Sequence, residues 1–227
     1  MKKMFGILGI IVIGFFMTDS ANAQFFPPDF RVYGGFSFPA GDFSSSASAD
    51  IGDYVGGRAR LGFAVGVEVD FPLSKNERLS WMNSMIIASQ PTSYINEFGT
   101  FILQGGDVQT TSWLLAVPLS GIKYKFPISE FVDIIAFGQI GALYGQSPEI
   151  NIEDPAGDTF TQKTANGTGI AFGTGAGLYI HDLISVNLRM LFGEPEYEAN
   201  TTFQGEESTF QFIQKTTVIQ LMAGVSF

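Results

Sequence analysis

No cysteine occurs among the 227 residues, there is one histidine, and lysine and arginine together number 12. Each shortage closes a class of function. Without cysteine there is no disulfide scaffold, no thiolate metal site and no thiol nucleophile. Twelve basic residues against 22 acidic ones, a net charge of −10, leave no nucleic-acid footprint, which needs clustered lysine and arginine. Charged residues make up only 15% of the chain, whereas 45% is hydrophobic, with 23 Phe and 7 Tyr. That is far more apolar surface than a disordered chain carries. The length suits one domain or two and can build its own core. A chain this apolar, this acidic and this rich in glycine (27 residues) has to put its apolar surface somewhere.

The N-terminus reads as an address. Lys2 and Lys3 precede an apolar run from Met4 to Met17, and Ala21-Asn22-Ala23 sets small residues at Ala21 and Ala23, where signal peptidase reads. The pattern predicts a secretory signal peptide over 1–23, cleaved before Gln24, followed by one domain over 24–227. A membrane anchor needs roughly 20 apolar residues, and this run stops at Thr18-Asp19. No cysteine follows for lipoprotein processing. Cleavage removes two lysines and one aspartate and leaves 10 basic and 21 acidic residues.

Beyond residue 23 no stretch has the length, apolarity and low glycine content of a transmembrane helix. Period-two alternation is present instead. Ala59, Leu61, Phe63, Val65, Val67, Val69 and Phe71 alternate with Arg58, Arg60, Gly62, Ala64, Gly66, Glu68 and Asp70. The pattern recurs from Phe30, over 166–180, over 184–193 and into the C-terminal residues, where Thr217, Ile219, Leu221, Ala223, Val225 and Phe227 share a face. Three further runs, 79–90, 110–126 and 131–146, are less regular. In the run 110–126, Trp113, Leu115, Val117 and Leu119 occupy one phase and Ile122, Tyr124 and Phe126 the other. A one-residue bulge near Ser120-Gly121 would restore a common face, and Pro118 predicts a local irregularity.

Eight strands result, joined by connections that alternate strictly: long (39–57, 91–109, 147–165, 194–214) and short (72–78, 127–130, 181–183). An outer-membrane barrel has short periplasmic turns, long external loops and an even strand number. A soluble lipocalin-like barrel would reverse the faces. The expected fold is therefore all-β, an eight-stranded antiparallel up-and-down transmembrane barrel after a cleaved signal peptide. Phe38, Trp81, Trp113, Tyr124, Phe126, Phe131, Tyr144 and Phe192 fall near strand ends, as an interfacial aromatic girdle requires.

Phe227, the terminal aromatic on the last strand, resembles the signal by which outer-membrane barrels are recognised for assembly. Val117-Pro118-Leu119 followed by Lys123-Tyr124-Lys125-Phe126 resembles the fourth-strand pattern of "porin family" barrel domains. With the signal peptide and eight strands, the chain resembles the small OmpA/OmpX-like barrels over nearly its full length, without the peptidoglycan-binding domain of OmpA. The resemblance implies the bacterial outer membrane as location, outer-membrane lipid and lipopolysaccharide as surroundings, and the barrel-assembly machinery as a partner. It implies no single function, because such families are diverse.

An eight-stranded lumen is just wide enough for side chains to fill. The phases aim Arg31, Arg58, Arg60, Glu68, Asp70 and Arg189 inward, joined by Lys123 and Asp133, and buried charges must pair. A salt-bridged plug is the expectation, with a narrow path for small solutes as the alternative. Fourteen of the 21 mature acids lie in the long loops, either as a solvated, repulsive rim or as a divalent-cation site. Glu149, Glu153, Asp154 and Asp158 form the best such cluster, though they match no EF-hand. No cofactor is expected, and the surface ligand is unidentified.

Some barrels of this size modify lipids, and the one histidine, His181, stands in the turn His181-Asp182-Leu183 with Ser185 following. The pair matches no nucleophile motif, and the expectation is that the chain is not an enzyme. Gly173-Thr174-Gly175-Ala176-Gly177 lacks both the P-loop ending and the strand-to-helix context of a nucleotide fingerprint. Glycines inside a crowded barrel account for it.

Overall fold

The computed structural model describes residues 27–45, 57–92, 106–153, 156–203 and 205–227. The predicted cleavage residues Ala21, Ala23 and Gln24 lie outside them. Thirteen strands and one short 3-10 turn follow in chain order: β1 (Asp29–Ala40), the turn Gly41–Phe43, β2 (Gly62–Pro72), β3 (Leu79–Gln90), β4 (Asp107–Thr110), β5 (Trp113–Pro127), β6 (Val132–Gln146), β7 (Ile150–Glu153), β8 (Thr159–Gln162), β9 (Asn166–Ile180), β10 (Ile184–Gly193), β11 (Glu196–Phe203), β12 (Glu206–Ile213) and β13 (Thr216–Ser226).

Eight of them close a ring. Antiparallel ladders run β1–β2, β2–β3, β3–β5, β5–β6, β6–β9, β9–β10, β10–β13 and β13–β1. These are the eight predicted strands, and closure leaves no edge in the wall. Outward positions carry Phe30, Phe36, Phe63, Val65, Ile122, Ile140, Ile170, Phe172, Leu188 and Leu221, all exposed. Their partners along each strand are buried inside. The surface is inverted relative to a soluble protein, as a barrel bathed in hydrocarbon requires. Among the described residues no helix is long and apolar enough to cross a membrane.

Two expectations about the wall are corrected. β5 contains no bulge: its pairing with β3 runs in one register from Leu79 opposite Tyr124 to Gln90 opposite Trp113. The ladder to β6 merely lapses at Val117 and Pro118, where proline has no N–H to give. Apolar residues change phase along β5 because the lumen changes character, from apolar at Trp113, Leu115, Val117 and Leu119 to polar at Lys123, all five buried. The predicted second strand also starts too early. β2 begins at Gly62, and Arg58 takes a left-handed backbone, with φ 51°, which breaks the alternation before the ladder starts.

The long connections are not plain loops. β10–β13 and β11–β12 share one register, Gly193 opposite Thr216 and Glu196 opposite Ile213. The Gln214 N–H donates to the Pro195 carbonyl at 3.1 Å across the join. The last hairpin therefore continues outward by the eight residues of β11, roughly 26 Å at strand rise. β11 pairs with the ends of β9 and with β8, which pairs with β7, which pairs with β4. One side of the barrel wall is thus extended into an external sheet of five strands.

Candidate functional site: the barrel lumen and the external sheet

The lumen is filled in layers. At the periplasmic end, the side with the three short turns, inward phases of β1, β2, β5 and β10 bring five charged groups together, with Tyr179 of β9 beside them. Arg31, Glu68, Asp70, Lys123 and Arg189 are all buried. Glu68 is the hub. Its Oε1 accepts from Tyr33 Oη at 3.2 Å, Lys123 Nζ at 3.2 Å and Tyr179 Oη at 3.3 Å. Arg189 reaches its Oε2 at 3.4 Å, and Arg31 stands 3.9 Å from Oε1. Asp70 takes Arg31 at 3.1 Å and is also paired with Lys123. Arg31 further donates to Asp29 and, at 2.6 Å, to Ser226 Oγ. Its guanidinium lies 3.7 Å over the Tyr179 ring, a stacking that Lys would not reproduce.

Two predicted lumen residues stand elsewhere, and a third faces inward at a different level. Arg60 is exposed, with its N–H donating to the Pro91 carbonyl at the external end. Arg58 is at that same end, four residues ahead of β2. Asp133 does face inward, but at the periplasmic rim, where it stands 3.7 Å from Lys125. Lys125 also holds Asp182 at 2.9 Å. Sequence reasoning passed over Tyr33, Tyr179, Asp29 and Lys125. The two tyrosines were legible by parity, since each sits on the small or charged face of its strand.

Above the ionic layer comes a polar belt. Gln139 donates to Ser84 Oγ at 3.0 Å, Arg189 donates to the same oxygen at 3.4 Å, and Gln90 donates to Ser37 Oγ at 2.6 Å. Gln220, fully buried, has both ends of its amide without a hydrogen-bond partner among the described residues.

The external half of the lumen is aromatic and apolar. Phe43, carried in by the 3-10 turn, meets Trp113 edge-on at 5.4 Å between centroids. Trp113 meets Tyr197 at 5.5 Å, and Tyr197 stacks on Phe212 at 5.1 Å. Such pairs contribute about 0.5–1.5 kcal/mol each beyond burial. The Trp113 indole donates to the Gly57 carbonyl at 2.7 Å. Trp113 is thus a plug residue, which corrects its assignment to the girdle; the other seven aromatics of that set are exposed. Tyr197 lies across Gly145 and Gly167, where an added Cβ would meet its ring or hydroxyl. Burial pushes its phenol up from the ordinary tyrosine value, and its hydroxyl has no hydrogen-bond partner among the described residues.

Outside, register sorts the extension into two faces. Val108, Ile152, Phe160 and Phe203 share one, while Asp107, Gln109, Asn151, Glu153, Thr159 and Thr161 share the other. These six polar residues line a depression of about 290 Å³. Of the predicted cation cluster, Glu149 accepts from Asn151 Nδ2 at 3.1 Å, whereas Glu153 stands across from Asp107 and Thr159. Asp154 lies outside the described residues. No group of three or more His, Asp or Glu among the described residues could hold a metal ion. His181 is exposed on its turn, with its ring 4.6 Å from that of Phe131; Ser185 is buried in the lumen.

A closed eight-stranded ring with a lipid-facing exterior, a filled lumen and short turns at one end defines an outer-membrane β-barrel protein. One solved structure with a TM-score above 0.5 agrees on the fold. A major outer membrane protein from Thermus thermophilus matches with TM-score 0.54 and 12% identity, covering 89% of this chain and all of that one. OprG of Pseudomonas aeruginosa matches at 0.49 and 13%, covering 88% of this chain and 95% of its own. Ail, the attachment invasion locus protein of Yersinia pestis, matches at 0.48 and 11%, covering 89% and 100%. No family model and no curated protein sequence matches.

Proposed function

We propose that this protein is a sealed outer-membrane barrel whose role is structural or interactive at the cell surface. The observation that carries the reading is the double closure of the lumen, ionic around Glu68 and aromatic around Trp113 and Tyr197. An open path would have to part both. The wall is also extended outward as a sheet with a polar face, which supplies surface for contact with lipopolysaccharide or another surface ligand. Catalysis has no support from His181, which points into solvent while Ser185 points into the barrel.

Planar-bilayer recording of the purified protein tests the seal. The expected result is no large, stable conductance. Persistent open channels would overturn the proposal in favour of a narrow solute path, which the unpartnered amide of Gln220 would then line.

A further inference from the structure

The polar belt of the lumen contains one row of register partners. Arg189 on β10 pairs with Gln220 on β13, Gln220 pairs with Ser37 on β1, and Ser37 pairs with Gly62 on β2. The side chains of Arg189, Gln220 and Ser37 all point inward at one level, roughly 5 Å apart at their Cβ atoms. Gly62 puts no side chain into the row, and an added Cβ there would lie 2.9 Å from Gln90 Cα. Gln90 of β3 uses that space to donate to Ser37 Oγ at 2.6 Å. Leu191 and Val218, a register pair two residues further out, close the row on the external side, and the ionic layer closes it below. Gln220 and Gln90 are fully buried, and Arg189 keeps 3% of its surface.

Hydrogen bonding along this row is incomplete in a regular way. Arg189 commits its terminal nitrogens to Ser84 Oγ and Glu68 Oε2, each at 3.4 Å, and its Nε has no partner among the described residues. Gln220 has none for either Oε1 or Nε2. Gln90, whose Nε2 is committed to Ser37, has none for its Oε1. From β10 to β3 the unmatched atoms are therefore a donor on Arg189, an acceptor and a donor on the Gln220 amide, and an acceptor on Gln90. A buried polar atom left so bears the full cost of leaving water, which is why such atoms are rare in folded proteins.

We infer that this row is an internal water site, in which one bound water accepts from Arg189 Nε and donates to Gln220 Oε1, and a second accepts from Gln220 Nε2 and donates to Gln90 Oε1. Two donors and two acceptors are the complement of a ligand that both gives and takes protons in hydrogen bonds. An anion would leave both carbonyl oxygens unmatched. A metal cation would leave both N–H groups unmatched and would stand beside the charge of Arg189. Buried waters make about two to four hydrogen bonds, and the Ser37 hydroxyl, which accepts from Gln90, still has its own proton to give to the second water. The lumen thus has a hydrated middle between its ionic and aromatic closures, with water bridges joining β10, β13 and β3. This assignment holds whether or not the barrel conducts.

Nuclear magnetic resonance of the full barrel in detergent micelles tests this, through rotating-frame cross peaks between water and side-chain N–H groups, whose sign separates proximity from proton exchange. The Arg189 Nε–H and the Gln220 amide are expected to show such peaks. The Trp113 indole, also buried but donating to the Gly57 carbonyl, is expected to show none. Gln220→Met keeps the length of the side chain and removes both polar atoms, and heat-dependent gel mobility checks that its barrel still closes. In this variant the Arg189 peak should be lost, and the urea midpoint in lipid vesicles should fall. An Arg189 peak that persists unchanged in Gln220→Met traces to the Ser84 hydroxyl and overturns the bridge. Absence of both peaks from the wild type overturns the site, as does a raised urea midpoint in Gln220→Met, the sign that the amide was buried dry.

Discussion

Glu68 is the residue on which the periplasmic half of the lumen depends. One carboxylate, with no exposed side-chain surface, faces Arg31, Lys123 and Arg189 and accepts from two tyrosines. Its removal would leave three buried cations with Asp70 and Asp29 as their remaining acidic partners. Breaking a buried pair from one side costs about 3–5 kcal/mol, because the orphaned charge stays desolvated. Glu68→Ala should therefore lose stability of that order in urea titrations in lipid vesicles. A loss below about 1 kcal/mol, the range of surface pairs, would show that water already screens the cluster. Replacing Glu68 and its cations together by apolar residues of similar volume should cost much less, since no ion is then left unmatched.

At the scale of elements, glycine decides where the aromatic plug can sit. β6 and β9 place Gly145 opposite Gly167, and Tyr197 of β11 fills the space that two side chains would have occupied. A Cβ on Gly145 would lie 1.8 Å from the Tyr197 hydroxyl, well inside any contact distance. Gly145→Ala should displace Tyr197 and disturb its edge contact with Trp113. The protein has only two tryptophans, and Trp81 faces lipid, so Trp113→Phe supplies the reference spectrum. The expected result is a shift in Trp113 emission with the barrel still closed; an unchanged spectrum would mean that the plug does not depend on that gap. The period-two pattern showed which face of most strands was apolar. It misread β5, because Trp113, Leu115, Val117 and Leu119 face an apolar part of the lumen while Ile122 and Tyr124 face lipid. Local pattern cannot tell two apolar destinations apart, and the bulge was an attempt to reduce them to one.

For the whole molecule, ring closure is the source of resistance to unfolding. Every strand of the wall has two neighbours, so no edge offers a place to begin peeling. The unboiled protein should migrate in detergent gels at a different mobility from the boiled one, and identical mobility would count against a closed ring in solution. The external sheet should not be needed for that behaviour, since its strands attach at the barrel's outer end through β9, β11 and β12. Charge is divided at the same scale. Buried acids are matched by cations in the lumen, while most of the remainder are carried outside the membrane.

Composition and alternation by themselves determined the class of fold, the eight strands and which ends carry the short turns, because lipid on one side and a crowded lumen on the other impose a period of two. They also marked Arg31, Glu68, Asp70, Lys123 and Arg189 as inward, since a charge on a lipid-facing position is costly. Only the tertiary structure decided that these five meet at one level, that Arg58 and Arg60 do not join them, and that Phe43 and Tyr197 return to close the external end. Those outcomes depend on how far each strand is staggered against its neighbours around the ring. A residue's parity fixes whether it points into the barrel, but its height there is set by pairing with residues up to 195 positions away.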